Sequence, residues 1–163
     1  MSKTKFMAQF GGLYEHSAWI AEAVFDAGLQ ANHNDPDHLH DAFRHVVSAA
    51  GQQRQLDLLR AHPDLAGKLA RKDGLTSSSR QEQAGAGLDQ CGEEEFALFT
   101  ELNKRYQEKF GFPFIMAVKG ADRAQILSQF QVRVDNSAEA EFDTALEQVL
   151  KIGWFRLMDF FNE

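Results

Sequence analysis

Leu58-Leu59-Arg60-Ala61-His62-Pro63-Asp64-Leu65-Ala66-Gly67-Lys68 is the stretch at which the helical pattern of this chain turns a corner. Upstream, Gln52 to Ala61 reads as a helix, with Leu56 and Leu59 at helical spacing and Val46 behind them. Downstream, Asp64 to Arg71 reads as the start of another. Pro63 disfavours the α conformation at His62, because its ring carbon crowds the backbone of the residue before it. Proline itself suits the first position of the following helix, where a missing N–H costs nothing. His62 is therefore expected at a fixed, non-helical corner, with its imidazole clear of both hydrogen-bond ladders. On spacing alone the histidine is either a surface group on a helix break or a functional group held by one.

Working outward, Phe6 to Phe10 forms a short opening helix closed by Gly11-Gly12. His16 to Ala27 follows, with Trp19, Ile20, Ala23 and Val24 on an apolar face. A polar loop from Gln30 to Asp37 carries Pro36, and Asp37 to Ala50 is helical with Leu39, Phe43, Val46 and Val47 inward. Beyond the corner, Asp73 to Ser79 reads as a loop and Gln81 to Ala86 as a short helix. Glu93 to Phe110 is a long amphipathic helix, with Phe96, Phe99, Leu102, Tyr106 and Phe110 on its apolar side. Gly111-Phe112-Pro113-Phe114-Ile115-Met116-Ala117-Val118 breaks the pattern with an apolar run too short for a helix. No second strand exists to pair with it, so an extended segment with free backbone N–H groups is expected. Ala121 to Arg133 and Ser137 to Phe161 close the chain. The fold class is all-α: a compact bundle of about eight helices carrying one extended Gly-Phe-Pro-Phe-Ile segment.

With 163 residues the chain fits one domain, 1–163, long enough to bury a full core to which fourteen Phe and two Trp contribute. A net charge of −7 argues against nucleic acid and against an anionic membrane surface as partners. An acidic protein handling an anion must concentrate its positive charge locally. The single cysteine, Cys91, excludes an intrachain disulfide and fits a reducing compartment. There is no run of about 18 apolar residues that could span a membrane and no secretory pattern at the N-terminus. Phe161-Asn162-Glu163 is not the peroxisomal tripeptide, so a cytoplasmic location is expected.

Three groups could carry chemistry. Ser79-x-x-Glu82 is ambiguous, since serine followed three residues on by glutamate fits a capping box, in which the two side chains serve each other's backbone N–H groups. Arg156 falls inside the stripe formed by Phe142, Leu146, Val149, Gly153 and Phe160 on the last helix. A guanidinium among core positions is costly unless it is paired or serves a site, the alternative being an arginine that snorkels at the core's edge. His33, His38, His40 and His45 with Asp35, Asp37 and Asp41 raise a metal reading, since Asp41 and His45 lie one turn apart. No second cluster completes a ligand shell, and a solvated face is the simpler reading.

Arg60-Ala61-His62-Pro63-Asp64-Leu65-Ala66-Gly67 resembles the signature of the ureidoimidazoline decarboxylases. The likeness continues at Tyr14-Glu15-His16-Ser17-Ala18-Trp19-Ile20-Ala21-Glu22, at Ser79-Arg80-Gln81-Glu82-Gln83, at Leu102-Asn103-x-x-Tyr106-x-x-Lys109-Phe110-Gly111-Phe112-Pro113-Phe114-Ile115, and at Arg156-Leu157. It covers nearly the whole chain in order, although Ala27 to His40 matches no pattern of the family. The resemblance implies decarboxylation of 2-oxo-4-hydroxy-4-carboxy-5-ureidoimidazoline (OHCU) to (S)-allantoin, the last step of the uricase pathway. It implies no metal or organic cofactor and a homodimer. It assigns His62, Glu82 and Arg156 as catalytic, and Pro63, Ser79, Gln83 and the segment Phe114, Ile115, Met116, Ala117 and Val118 as substrate-binding. Glu82 would partner His62, and Arg156 would clamp the anionic substrate. Two readings of other classes are a non-enzymatic helical protein-interaction domain and a helical hydrolase activating water with His62 and Glu82.

Overall fold

The computed structural model describes residues 1–66 and 75–163. Among these residues there are eight α-helices and no strand: α1 Lys3–Phe10, α2 Trp19–Asp26, α3 Pro36–Ala49, α4 Gln52–Arg60, α5 Ser77–Gly85, α6 Glu93–Phe110, α7 Arg123–Arg133 and α8 Ala138–Asn162. They group into two compact units, one formed by Met1–Ala61 with Leu150–Glu163 and the other by His62–Val149.

In the first unit, Ser2 caps α1 by accepting from the Lys5 amide at 3.3 Å, as expected of a serine before a helix. Phe6 and Phe10, one turn apart, are buried with ring centroids 4.8 Å from each other. The helix expected from His16 begins instead at Trp19. Leu13 to Ser17 form a turn, with the Ser17 amide donating to Tyr14 O at 3.2 Å and its hydroxyl to Glu15 O at 2.8 Å. Helix α3 starts at Pro36 behind an Asp35 cap and buries Leu39, Phe43 and Val47. Gly51, at φ 87°, makes the left-handed step into α4, which buries Leu58 and Leu59 while Leu56 is only half-buried.

In the second unit α6 runs over the expected Glu93–Phe110 and stops at Gly111 in the left-handed conformation, φ 76°. Its inward face, Phe99, Leu102 and Tyr106, meets Phe130 of α7 and Phe114 of the following segment. Phe114 lies flat on Phe130, ring centroids 3.9 Å apart. Asp122 and Gln125 cap α7 reciprocally, which moves its start from the expected Ala121 to Arg123.

Candidate active site

The His62 corner is built by side chains from two helices. Helix α4 ends at Arg60, and His62, which opens the second unit, is buried. The helix expected to start at Asp64 does not start there: Asp64 has no regular structure and Leu65 and Ala66 are a turn, with Ala66 at φ 51°. Backbone groups of this turn are taken by amide side chains. Gln83 Nε2 donates to Asp64 O at 3.2 Å, the Ala66 amide donates to Gln83 Oε1 at 3.0 Å, and Asn103 Nδ2 donates to Leu65 O at 3.0 Å. The remainder of that expected helix, Gly67 to Arg71, lies outside the described residues.

Gln83 sits on α5 and so fastens this helix beside the corner. Helix α5 begins at Ser77, earlier than expected, because Thr76 supplies the cap: its hydroxyl accepts from the Ser79 amide at 3.3 Å. Threonine in an extended conformation does the same work as serine there. Ser79 is therefore a residue of the first turn and Glu82 lies in the helix interior, so the capping-box reading of Ser79-x-x-Glu82 is overturned. Of the loop expected from Asp73, Ser77 to Ser79 are helical, and Asp73 and Gly74 lie outside the described residues. Ser79 and Gln83, one turn apart, are buried, and Glu82 on the adjoining face is half-buried.

The segment Pro113 to Val118 has no regular secondary structure and is unpaired by any strand among the described residues. Not all its amides are free: Ala117 N–H donates to Gln148 Oε1 at 2.9 Å. Its Ile115 carbonyl accepts from Arg133 Nη1 at 2.7 Å. Arg133 also forks onto Glu141, Nε to Oε1 and Oε2 at 3.2 and 3.1 Å and Nη2 to Oε2 at 3.0 Å. Tyr106 and Asn136 complete the donors to that carboxylate, which has no exposure to solvent. Phe114, Ile115, Ala117 and Val118 are buried and Met116 is half-buried.

Arg156 belongs to the first unit, on the second half of α8. Its side chain is 11% exposed. Nη1 donates to Leu13 O at 3.0 Å and Nη2 to Glu15 Oε1 at 2.9 Å, and the Glu15 side chain is only 2% exposed. This guanidinium is gripped rather than snorkelling. The buried stripe of α8 runs through Glu141, Ala145, Val149, Gly153 and Leu157, with Arg156 at its border, while Phe160 is exposed rather than in the core. Tyr14 packs against Gly153; a Cβ there would stand 2.6 Å from its ring. The Tyr14 hydroxyl is buried without a hydrogen-bond partner among the described residues. Burial raises its pKa well above the ordinary tyrosine value, against the weaker pull of Arg44 and Arg156.

A model of the OHCU decarboxylase family matches residues 1–158. The chain belongs to that family. It is 40% identical over 157 residues to the 2-oxo-4-hydroxy-4-carboxy-5-ureidoimidazoline decarboxylase of Haloferax volcanii, covering 96% of this chain and 89% of the relative. Among solved structures, a crystal structure of (S)-allantoin synthase superposes with a TM-score of 0.75 at 32% identity, over 98% of this chain and 50% of that one. An OHCU decarboxylase crystallised in the presence of (S)-allantoin shares the fold, with a TM-score of 0.72 at 19% identity over 94% of this chain and 97% of its own.

Within this OHCU decarboxylase fold three of the four histidines between Ala31 and Ala49 have local occupations. His33 Nδ1 accepts from the Gln30 amide, His38 Nδ1 pairs with Asp35 at 2.8 Å, and buried His40 places Nε2 2.8 Å from Leu150 O. No three His, Cys, Asp or Glu side chains among the described residues stand together as ligands would. His16 is exposed at φ 48°, and it is the neighbouring Glu15 that reaches Arg156. Sequence reasoning did not single out Glu15, Arg133 or Glu141. A signal for Arg133 existed: Ile126, Phe130 and Arg133 fall at helical spacing and all are buried, the same argument that drew attention to Arg156. Glu15 carried no such signal, because a turn has no periodic face.

Proposed function

We propose that this protein decarboxylates OHCU to (S)-allantoin, closing the uricase pathway of urate degradation, with His62, Glu82 and Arg156 as the groups that act on the substrate. The observation that carries the reading is the family match across residues 1–158, which takes in every one of the proposed site residues. Losing carbon dioxide leaves an electron pair that ordinarily needs a sink supplied by a cofactor. This substrate carries its own imine beside the departing carboxylate, so the protein has three tasks: hold the carboxylate, manage the hydroxyl proton, and deliver a proton to one face. Arg156 suits the first, since a planar fork grips oxygen pairs with direction as well as charge. His62 suits the proton transfers, being the one side chain type that both gives and takes protons near neutrality. Glu82, half-buried on a helix fastened to the loop after His62, would hold the imidazole in one tautomer and favour its charged form.

Ser79 and the Phe114–Val118 segment would read the ring and ureido groups, with Pro63 walling the pocket. Gln83 spends one donor and one acceptor on the loop and, as a primary amide, keeps one more of each for substrate. The proposal includes a cofactor-independent reaction, a cytoplasmic homodimer and no nucleic-acid or membrane partner. No helix among the described residues is long and apolar enough to cross a membrane.

The test uses OHCU made fresh from urate by urate oxidase and hydroxyisourate hydrolase, followed by circular dichroism. Addition of the protein after treatment with a strong chelator should speed substrate loss and give optically active (S)-allantoin. Decay at the spontaneous rate to racemic product would refute the activity. Activity lost on chelation and restored by zinc or manganese would refute the cofactor-independent chemistry.

A further inference from the structure

The Leu13–Ser17 turn is built more firmly than a connection between two helices requires. Leu13, Tyr14, Glu15 and Ser17 are all buried, Ser17 ties itself to the Tyr14 and Glu15 carbonyls, and His16 accepts a left-handed φ of 48° between them. A left-handed histidine costs energy that surrounding contacts must offset. What the turn delivers is an acceptor pair, the Leu13 carbonyl and the Glu15 carboxylate, each on a different terminal nitrogen of Arg156. One such bond would leave the guanidinium free to swing about it. Two bonds at different nitrogens fix its plane.

We infer that Glu15 is a positioning residue for the reaction, holding the Arg156 guanidinium in the plane in which it meets the substrate's carboxylate. The inference rests on the proposed role of Arg156 and adds to it. A clamp oriented before the substrate arrives need not be reorganised during the reaction, so its contribution falls on turnover more than on binding. Glu15 also neutralises the part-buried arginine when no substrate is present, which offsets the cost of taking the cation out of water.

The experiment compares Glu15→Gln, Glu15→Asp, Arg156→Ala, Arg156→Lys and Glu15→Gln/Arg156→Lys, with kcat, KM and melting temperature measured for each. Glutamine keeps an acceptor of the same reach without the charge; aspartate keeps the charge but withdraws it by about one carbon–carbon bond, ~1.5 Å. Glu15→Asp should lose about 10²-fold in kcat, the penalty of a misplaced clamp, with KM changed less than threefold. Glu15→Gln should lose less than Glu15→Asp. In the Arg156→Lys background, where no planar fork remains to be oriented, Glu15→Gln should cost less than twofold more, because residues acting as a unit are not additive. The inference is overturned if Glu15→Asp retains half the parent kcat, or if Glu15→Gln lowers activity by the same factor in both backgrounds. It is equally overturned if neither single Glu15 variant folds, since the carboxylate then serves the fold. An active Arg156→Ala would instead sink the role of Arg156 on which the inference stands, while a dead Arg156→Ala beside a fully active Glu15→Asp would sink the inference alone.

Discussion

Gly153→Ala and Gly85→Ala are the same substitution on two helices, and the structure assigns them opposite signs. Alanine in place of a helical glycine ordinarily stabilises by up to about 1 kcal/mol, less near a helix end. At Gly85, the last residue of α5, a new Cβ meets nothing within 4 Å, so that gain should appear. At Gly153 the Cβ would stand 2.6 Å from Tyr14 Cε1 and 2.7 Å from both Cζ and the hydroxyl oxygen. Tyr14 cannot swing aside, since it is 2% exposed and its ring packs 5.8 Å from that of Phe43. Overpacking of this kind costs about 1–3 kcal/mol. Set against the propensity gain, the net is a loss of about 0–2 kcal/mol, or a fall in melting temperature of up to about 8 °C for a chain of this size. The variant should also lose activity, because Tyr14 lies between the two residues that grip Arg156. Thermal unfolding by circular dichroism, with kcat/KM on the folded protein, checks both. A melting temperature for Gly153→Ala that rises alongside that of Gly85→Ala would refute the reasoning.

His62→Ala should fold with an unchanged far-ultraviolet spectrum and lose about 10²–10⁴-fold in turnover; a rate within threefold of the parent would remove His62 from the mechanism. Thr76→Ala should cost about 1 kcal/mol of stability as a lost helix cap, whereas Glu82→Gln should leave the melting temperature in place and abolish most activity; the reverse pattern on denaturation and assay would restore the cap reading of Glu82. Burial raises the pKa of both tyrosines, Tyr14 and Tyr106, above the ordinary value, and at Tyr106 the hydrogen bond to Glu141 adds to it. The folded state therefore keeps phenol protons that an unfolded chain releases from about pH 10, so stability is untouched below that pH and declines above it. Ultraviolet titration should show tyrosinate appearing only with unfolding, and one tyrosinate forming near pH 10 in a folded protein would contradict it.

The helices were legible wherever a periodic apolar face met a local stop signal. Glu93–Phe110 shows this best, since three first-turn glutamates and Gly111 mark its ends as clearly as Phe99, Leu102 and Tyr106 mark its face. The misreadings share one physical cause, competition from side chains distant in sequence or from a second equivalent cap. Gln83 and Asn103 take the backbone groups of Asp64 to Ala66, and nothing in that tripeptide announces it. Thr76 and Ser79 are both fit to cap a helix, and the hydroxyl that wins is decided by where the chain enters. The site divides along the same line. His62 was marked by its proline and Arg156 by its stripe, but Glu15 acts over a separation of 141 residues from a turn with no period.

Buried Arg133 and part-buried Arg156 show why the pairing matters for an acidic protein that handles an anion. Arg133 is enclosed by Glu141 and the Ile115 carbonyl, with side-chain exposures of 7% and 0% for the ion pair, so its charge is spent on holding the extended segment. Arg156, paired to Glu15, keeps 11% exposure. Both cations are offset by a carboxylate at about hydrogen-bond distance, so neither acts as a bare positive charge. An anionic substrate meeting Arg156 would gain little from long-range attraction, which a net charge of −7 opposes in any case. What remains to the guanidinium is direction: short, charge-assisted hydrogen bonds in a fixed plane, worth roughly twice their neutral counterparts and available only to oxygens in the right place. In this reading selectivity comes from the geometry of the turn that holds the arginine, and the acidity of the rest of the chain costs the site little.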